Sequence, residues 1–199
     1  MQSRDQLRTR IRAQRRALSA AESAQRSRLI AHHLVGSRLF MNCRRLSAYI
    51  PVRGEADPVP ALAQARRLGK SVYLPVLAPF GEDRLWFVHW HPEIPLVPNR
   101  FGIPEPKRRR TDLLSPTQLD VALAPLVGFD DLGNRLGMGG GFYDRTFAFL
   151  RHRARWHRPI LIGYAYDFQQ VDRLQSHDWD VRLDGVVTEQ GLTMFRHRL

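Results

Sequence analysis

PLVGFDDLGNRLGMGGGFYDR, residues 125–145, is the stretch of this 199-residue chain that decides the fold. An apolar run over residues 119–129 leads into it, and a helical spacing follows it at Phe142, Thr146 and Phe149. These patterns predict a buried strand, then a glycine loop, then the start of a helix. Backbone N–H groups in such a loop and at a helix N-terminus are well placed to bind phosphate.

The glycine loop lacks the spacing of the two common phosphate-binding motifs. Counted from Gly137, the second glycine of a Walker A loop falls on Phe142, and no lysine follows. The dinucleotide fingerprint G-x-G-x-x-G, counted through Gly139, also reaches Phe142 where it needs glycine. A tight turn explains a glycine cluster as well as a ligand does. The residues alone therefore leave both a turn and a phosphate cradle open.

The sequence resembles a known family over nearly its whole length. RLGMGGGFYDR (residues 135–145) resembles the signature of 5-formyltetrahydrofolate cyclo-ligases, also called 5,10-methenyltetrahydrofolate synthetases. RDQLRTRIRAQRRALS resembles the basic first helix of that family, and YIPVRGEAD resembles its strand followed by Gly-Glu. VYLPV, NRFGIPEP and LDVALAPLVGFD are also similar, in the family's order and spacing.

The resemblance implies both a fold and a reaction. The fold is a three-layer α/β/α arrangement with a mostly parallel central sheet. The reaction is the ATP-dependent cyclisation of 5-formyltetrahydrofolate to 5,10-methenyltetrahydrofolate, with release of ADP and phosphate. In this reaction the formyl oxygen is phosphorylated and N10 then attacks, so no catalytic protein nucleophile is expected. ATP is the co-substrate, and Mg²⁺ is the expected metal.

Composition indicates one ordinary globular domain over residues 1–199, with basic N-terminal helices at 3–36 and an α/β core at 45–199. The hydrophobic fraction is 43%, which suits such a core. The apolar runs are too short to cross a bilayer, and the arginine-rich N-terminus lacks a signal-peptide core. We therefore expect a soluble, cytoplasmic protein with no membrane partner. The single cysteine, Cys43, excludes an intrachain disulfide and a Cys-based zinc site.

The net charge of +12 raises an alternative function, namely a non-enzymatic nucleic-acid-binding protein that uses a basic surface. However, 29 of the 31 basic residues are arginine, which indicates a general bias in residue usage. These residues are also dispersed along the chain, and no RNP motif, KH loop or zinc finger accompanies them. We therefore expect no specific nucleic acid as a partner. The resemblance implies reduced folate and ATP as partners, and we expect a monomer.

The periodicity of apolar residues and the positions of turn and capping residues predict strands that alternate with helices, as in an α/β sheet covered on both faces. A helix is expected over residues 3–18, and a capping box at Ser19 and Glu22 starts a second one. Further helices are expected from Pro58 to Arg67 and from Phe142 to Arg151. Strands are predicted at 46–50, 70–75, 85–90, 119–124, 160–164 and 184–188, the last being the final strand. Residues 91–117 are expected to form an extended connection.

The resemblance also implies the ATP-binding residues. They are Arg4, Arg8, Arg135, Gly137, Met138, Gly139, Gly140, Gly141, Phe142 and Tyr143. Arg4 and Arg8 stand one helical turn apart, where guanidinium groups could grip phosphate or form a solvated helix face. Arg4 replaces the lysine of the family pattern.

The folate and metal positions are implied in the same way. Ile50 and Glu55 align with substrate contacts, and a carboxylate suits the adjacent donors of the pterin edge. Asp144 and Asp184 match the magnesium ligands of the family. The residues themselves also allow simpler roles, since Asp144 suits a first helical turn and Asp184 suits a turn before a strand. The eight histidines show no H-x-x-x-H or HExxH pairing, and none is assigned to catalysis or metal binding.

Overall fold

The computed structural model describes residues 2–107, 112–152 and 155–195. Its helices are α1 (Arg4–Ala17), α2 (Ala20–Val35), α3 (Arg38–Asn42), α4 (Val59–Arg67) and α5 (Phe142–Thr146). Its strands are β1 (Arg45–Ser47), β2 (Ser71–Leu77), β3 (Leu85–His89), β4 (Leu96–Pro98), β5 (Pro104–Pro106), β6 (Leu113–Leu114), β7 (Val121–Ala124), β8 (Gly128–Phe129), β9 (Arg135–Leu136), β10 (Ile160–Tyr164), β11 (Gly185–Thr188) and β12 (Gly191–Met194). None of the helices in these ranges is long and apolar enough to cross a membrane.

Eight of the described strands form one mixed sheet, in the order β12-β11-β10-β7-β1-β2-β3-β6. The five strands from β11 to β2 are parallel to one another, and antiparallel strands extend the sheet at both edges. The predicted mostly parallel α/β sheet is therefore confirmed. Its parallel strands have carboxyl ends at one edge, which is where ligands bind in open α/β sheets.

Strand β7 shows why helices cover both faces of the sheet. All four of its residues are buried, and successive side chains point to opposite faces. Val121 and Leu123 enter a core with α2, α3 and α4, whereas Ala122 and Ala124 enter a second core with Phe147 and Leu150. The three layers of the predicted fold are thus present.

Helix α1 lies against the segment that leads into and out of the glycine loop. Ser3 caps it by accepting a hydrogen bond from the Gln6 backbone N–H, while the Gln6 side chain accepts one from Ser3. Its apolar stripe, Leu7 and Ile11, packs with Val127 and Leu136 in a separate small core. The arginines beside that stripe are therefore held next to the loop.

Three predictions about the elements were wrong in part. The helix expected from Phe142 to Arg151 ends at Thr146, and a 3-10 turn continues it over Ala148–His152. The strand β11 is not the last, because β12 pairs with it as an antiparallel hairpin. The expected extended connection contains the β4–β5 hairpin and the edge strand β6, with its residues 108–111 outside the described ranges.

Candidate active site

The glycine loop, residues 137–141, connects β9 to α5 through backbone conformations that favour glycine. Gly139 has φ 108° and Gly141 has φ 64°, both in the left-handed region. A Cβ at Gly141 would stand 2.6 Å from Nη1 of Arg145. Because α5 has only five residues, its dipole is weaker than the dipole of the longer helix that was predicted. Nearby arginines must supply most of the positive charge.

Two arginines predicted for ATP binding contact the loop or its flanks. Arg8 on α1 donates from Nε to the carbonyl of Gly137 at 3.0 Å. Arg135 on β9 is 4% exposed in its side chain and donates from Nη2 to Oδ1 of Asp144 at 2.6 Å. Its guanidinium also lies 5.6 Å from the ring centre of Tyr143. Arg8, Arg135 and Tyr143 therefore lie together beside the loop.

Arg4 lies at the start of α1 beside a different segment. Its Nη1 donates to Oδ2 of Asp180 at 3.0 Å and to the carbonyl of Gln175 at 3.1 Å. Asp180 is followed by Val181, whose N–H donates to Asp144 at 3.1 Å. The segment around residue 180 thus joins Arg4 to Asp144.

Two further arginines of α1, for which the sequence predicted no role, contact the glycine loop and the segment before Glu55. Arg12 directs Nη2 towards the sulfur of Met138 at 3.6 Å. The Arg15 side chain is fully buried and donates to the carbonyls of Val52, Arg53 and Gly54. The signal that could have found them is their spacing, because they continue the stripe that starts at Arg4 and Arg8.

Glu55 is buried and directly follows the exposed turn residues Arg53 and Gly54, after the carboxyl end of β1. Its carboxylate accepts a hydrogen bond from the Val52 N–H at 3.1 Å and stands 3.9 Å from Nη2 of Arg15. Burial raises the pKa of Glu55 above its ordinary value, and the Val52 N–H and Arg15 only partly offset this. A carboxylate held this way is a strong acceptor for ligand N–H groups.

Two tyrosines lie close enough to Glu55 for its charge to act on them. Burial and then the Glu55 carboxylate raise the pKa of both Tyr49 and Tyr143. The Tyr49 hydroxyl donates to the carbonyl of Ala56 at 2.7 Å. Tyr143 directly follows the glycine loop, and the partly buried Ile50 packs against the core.

The two predicted metal ligands have different surroundings. Asp144 is partly exposed and accepts from Arg135 and the Val181 N–H. Asp184 is buried directly before β11, and its Oδ2 accepts from the Leu161 N–H at 2.6 Å. Asp184 thus caps the amino ends of parallel strands, whereas Glu55 follows a carboxyl end. Among the described residues, no cluster of three or more His, Cys, Asp or Glu side chains could hold a metal.

Three buried guanidinium nitrogens of the site find no hydrogen-bond partner within the described residues. They are Nε of Arg12, Nη1 of Arg15 and Nε of Arg135. Buried donors without acceptors are costly, because folding removes their bonds to water. The buried Oδ1 of Asn134, next to Arg135, is an acceptor that likewise has no partner within the described residues.

Comparison with known proteins gives one consistent result. The family model for 5-formyltetrahydrofolate cyclo-ligases matches residues 1–189. The 5-formyltetrahydrofolate cyclo-ligase of Escherichia coli K12 is 40% identical over 178 residues, which are 89% of this chain and 96% of that protein. The Haemophilus influenzae protein of the same name is 38% identical over 182 residues, covering 92% of this chain and 95% of that protein.

Solved structures agree with the sequence relatives. The 5,10-methenyltetrahydrofolate synthetase of Aquifex aeolicus superposes with a TM-score of 0.80 at 28% identity, covering 98% of this chain and 94% of that one. The 5,10-methenyltetrahydrofolate synthetase of Mycoplasma pneumoniae gives a TM-score of 0.72 at 25% identity, covering 94% of this chain and 99% of that one. These relatives give no support to the nucleic-acid-binding alternative. With a family match over nearly the whole chain and the same fold in its relatives, this chain belongs to the 5-formyltetrahydrofolate cyclo-ligase family.

Proposed function

We propose that this protein converts 5-formyltetrahydrofolate to 5,10-methenyltetrahydrofolate and consumes ATP to give ADP and phosphate. The observation that carries the proposal is the position of α1 between the glycine loop and the turn before Glu55. Arg8 on this helix contacts the glycine loop, and Arg15 contacts the Glu55 turn. A nucleotide at the loop and a folate at the turn would then be neighbours, as phosphoryl transfer between them requires.

The chemistry explains why the site has donors but needs no nucleophile. The oxygen of an N-formyl amide is a poor leaving group, and transfer of the γ-phosphoryl group to it gives an activated iminophosphate. N10 of the same molecule then attacks the formyl carbon, loses its proton, and phosphate departs with the former formyl oxygen. This ring closure is intramolecular, and good orientation can contribute up to roughly 7–11 kcal/mol. The protein has to align the two substrates and neutralise charge.

The proposed ATP site consists of the glycine loop and the arginines around it. Backbone N–H groups of residues 137–141 and the guanidinium groups of Arg8 and Arg135 would bind phosphate oxygens. Arg4 remains in the proposal as a contact at the far end of α1. Arg12 is added because its Nε is buried without a partner next to Met138.

The proposed folate site is the turn that carries Glu55. The carboxylate would accept hydrogen bonds from the ring N–H and the amino group of the pterin, which are adjacent donors. Ile50 and Tyr143 would provide apolar contacts beside it. Since Tyr143 also flanks the glycine loop, it stands where the two substrates would meet.

We propose Asp144 as the protein ligand for Mg²⁺. The residue fits this role, because it is a partly exposed carboxylate at the end of the glycine loop. Magnesium usually takes one or two carboxylates together with phosphate oxygens and waters, so a preformed cage is not required. Bound magnesium would neutralise charge on the phosphates. The surroundings of Asp184 favour a structural role in capping β10 and β11, and its predicted metal role stays a prediction.

The test of this proposal is turnover by the purified protein. The methenyl product absorbs in the near ultraviolet, so its formation from 5-formyltetrahydrofolate can be followed directly. We expect product only when ATP and magnesium are both present, with one ADP released per methenyl group formed. A nucleic-acid-binding protein would instead show no turnover and a strongly salt-dependent retention of polynucleotide. A monomeric, cytoplasmic state stays a prediction.

A further inference from the structure

The turn that presents Glu55 has an unusual backbone. Arg53 and Gly54 are consecutive residues in the left-handed region, with φ 54° and 74°. Such a conformation is unfavourable for a residue with a side chain, so Arg53 costs free energy where it stands. Conformations of this kind persist only when surrounding contacts hold them.

Beside the turn's own hydrogen bonds between Val52 and Glu55, three hydrogen bonds to this turn come from one side chain, that of Arg15 on α1. Its Nε donates to the carbonyl of Gly54 at 3.2 Å, and its Nη2 donates to the carbonyls of Arg53 at 2.8 Å and Val52 at 3.3 Å. The same Nη2 stands 3.9 Å from Oε1 of Glu55. One guanidinium thus binds three successive carbonyls and faces the carboxylate that follows them.

The helix backbone also approaches the turn closely. A Cβ at Gly54 would lie 3.5 Å from the carbonyl oxygen of Arg15. The Arg15 side chain is 0% exposed and that of Glu55 is 5% exposed, so solvent screens their interaction little. A lysine at position 15 could keep the charge, but it could not bind three carbonyls with a planar fork.

We propose that Arg15 is a positioning residue that holds Glu55 in its substrate-binding orientation and ties the folate turn to the helix that carries Arg8. This inference rests on the proposed function, because it assigns Arg15 to the binding of folate through Glu55. Arg15 itself touches the turn, and its effect on substrate passes through Glu55.

The experiment compares Arg15→Met and Arg15→Lys with Arg16→Met, which removes the exposed neighbouring arginine. We expect Arg15→Met to raise the KM for 5-formyltetrahydrofolate at least about tenfold, with the KM for ATP within about twofold of wild type. Arg15→Lys should lie between Arg15→Met and wild type, and Arg16→Met should match wild type. If Arg15→Met does not fold, as judged by thermal melting, the comparison of Arg15→Lys with Arg16→Met decides.

A pH profile adds a measurement that a purely structural role would leave unchanged. Glu55 is faced by Arg15 from α1, by Arg53 from its own turn, and by Tyr49 and Tyr143. Loss of the Arg15 cation should raise the pKa of Glu55 further and move the acid limb of kcat/KM for folate to higher pH. In a Glu55→Gln background the same substitution should produce no such shift.

Two results would overturn the inference. One is a KM for 5-formyltetrahydrofolate that is the same in Arg15→Met and Arg16→Met. If Arg15→Met does not fold, the corresponding result is an equal KM in Arg15→Lys and Arg16→Met. The other is an equal rise in both KM values without a pH shift, which would make Arg15 a general structural residue. Failure of the proposed function is a separate outcome, since the wild-type protein itself would then form no methenyl product.

Discussion

Arg135 and Asp144 form an ion pair beside the glycine loop, with Nη2 2.6 Å from Oδ1. The Arg135 side chain is nearly buried, whereas Asp144 is partly exposed. The arginine therefore holds in place the one carboxylate that we assign to magnesium. Its Nε remains without a hydrogen-bond partner in the described part of the chain.

Asp144→Asn should lower kcat at least about 100-fold and flatten the response of the residual rate to magnesium. The amide keeps an oxygen for the Val181 N–H but loses the charge that attracts the metal. The measurement is a magnesium titration of turnover, with the exposed Asp131→Asn as the matched control. An unchanged titration curve would leave Asp144 with only its contacts to Arg135 and Val181.

Glu55→Gln should raise the KM for 5-formyltetrahydrofolate while the KM for ATP stays near wild type. Gln replaces one acceptor with a donor, so a buried pterin N–H loses its partner at a cost of about 1–3 kcal/mol. The control is Glu93→Gln, because the Glu93 side chain is 88% exposed. A folate KM equal to that of the control would remove Glu55 from the substrate site.

Gly139→Ala should greatly weaken ATP binding. The glycine has φ 108° and open space around its Cα, so alanine introduces backbone strain of about 1–3 kcal/mol without a clash. Gly69→Ala is the matched control, since Gly69 has φ 70°, equally open surroundings and a position after α4. A calorimetric titration with ATP measures the affinity of each variant, and a melting curve without ligand measures its stability.

We expect the control to lose stability and keep its ATP affinity, and Gly139→Ala to lose affinity beyond its loss of stability. Gly140 is a poorer choice, because its added Cβ would stand 3.1 Å from the Phe142 ring. Wild-type ATP affinity in Gly139→Ala would mean that the loop is only a turn.

Asp120 provides a test of the fold that is independent of the site. Although burial opposes it, hydrogen bonds from the Arg45 and Arg44 N–H groups and the nearby Arg158 hold the pKa of Asp120 below its ordinary value. A lowered pKa contributes stability above the unfolded pKa of about 3.9, and this contribution is lost as the pH falls through the folded pKa.

Asp120→Asn should therefore lower the free energy of unfolding by about 1–3 kcal/mol at pH 7. The difference from wild type should shrink as the pH falls below about 4. Unfolding by denaturant at several pH values measures this difference in the free energy of unfolding, and substitution of the exposed Asp172 by Asn is the comparison. A difference that does not depend on pH would show that the charge is irrelevant there.

The parts of the fold that local patterns encode were predictable from the sequence. The strand over residues 160–164 has the predicted bounds, and the predicted capping box of Ser19 with Glu22 is formed. The break after Thr146 was missed because apolar side chains recur across it at helical spacing, so periodicity alone does not reveal it. The strand β12 was missed because it is a half-buried to exposed edge strand that is defined by its pairing with β11 and has no apolar pattern of its own.

The resemblance names candidate site residues, whereas roles that depend on tertiary contact do not show in the sequence. Arg15 is visible in the sequence as one arginine of a stripe, but its partners are 37–39 positions away. Asp184 matches a magnesium ligand of the family in sequence, yet its carboxylate accepts a hydrogen bond at the amino end of a strand. Only the packing of α1 and the sheet distinguishes these roles.

The most direct measurement of the central claim is a single assay of wild-type protein. Purified protein is mixed with 5-formyltetrahydrofolate, and near-ultraviolet absorbance is followed with ATP and magnesium together and with each omitted. We predict methenyl product only in the complete mixture, in step with ADP. A folded protein that forms no product in that mixture, or forms it equally well without ATP, would contradict the account.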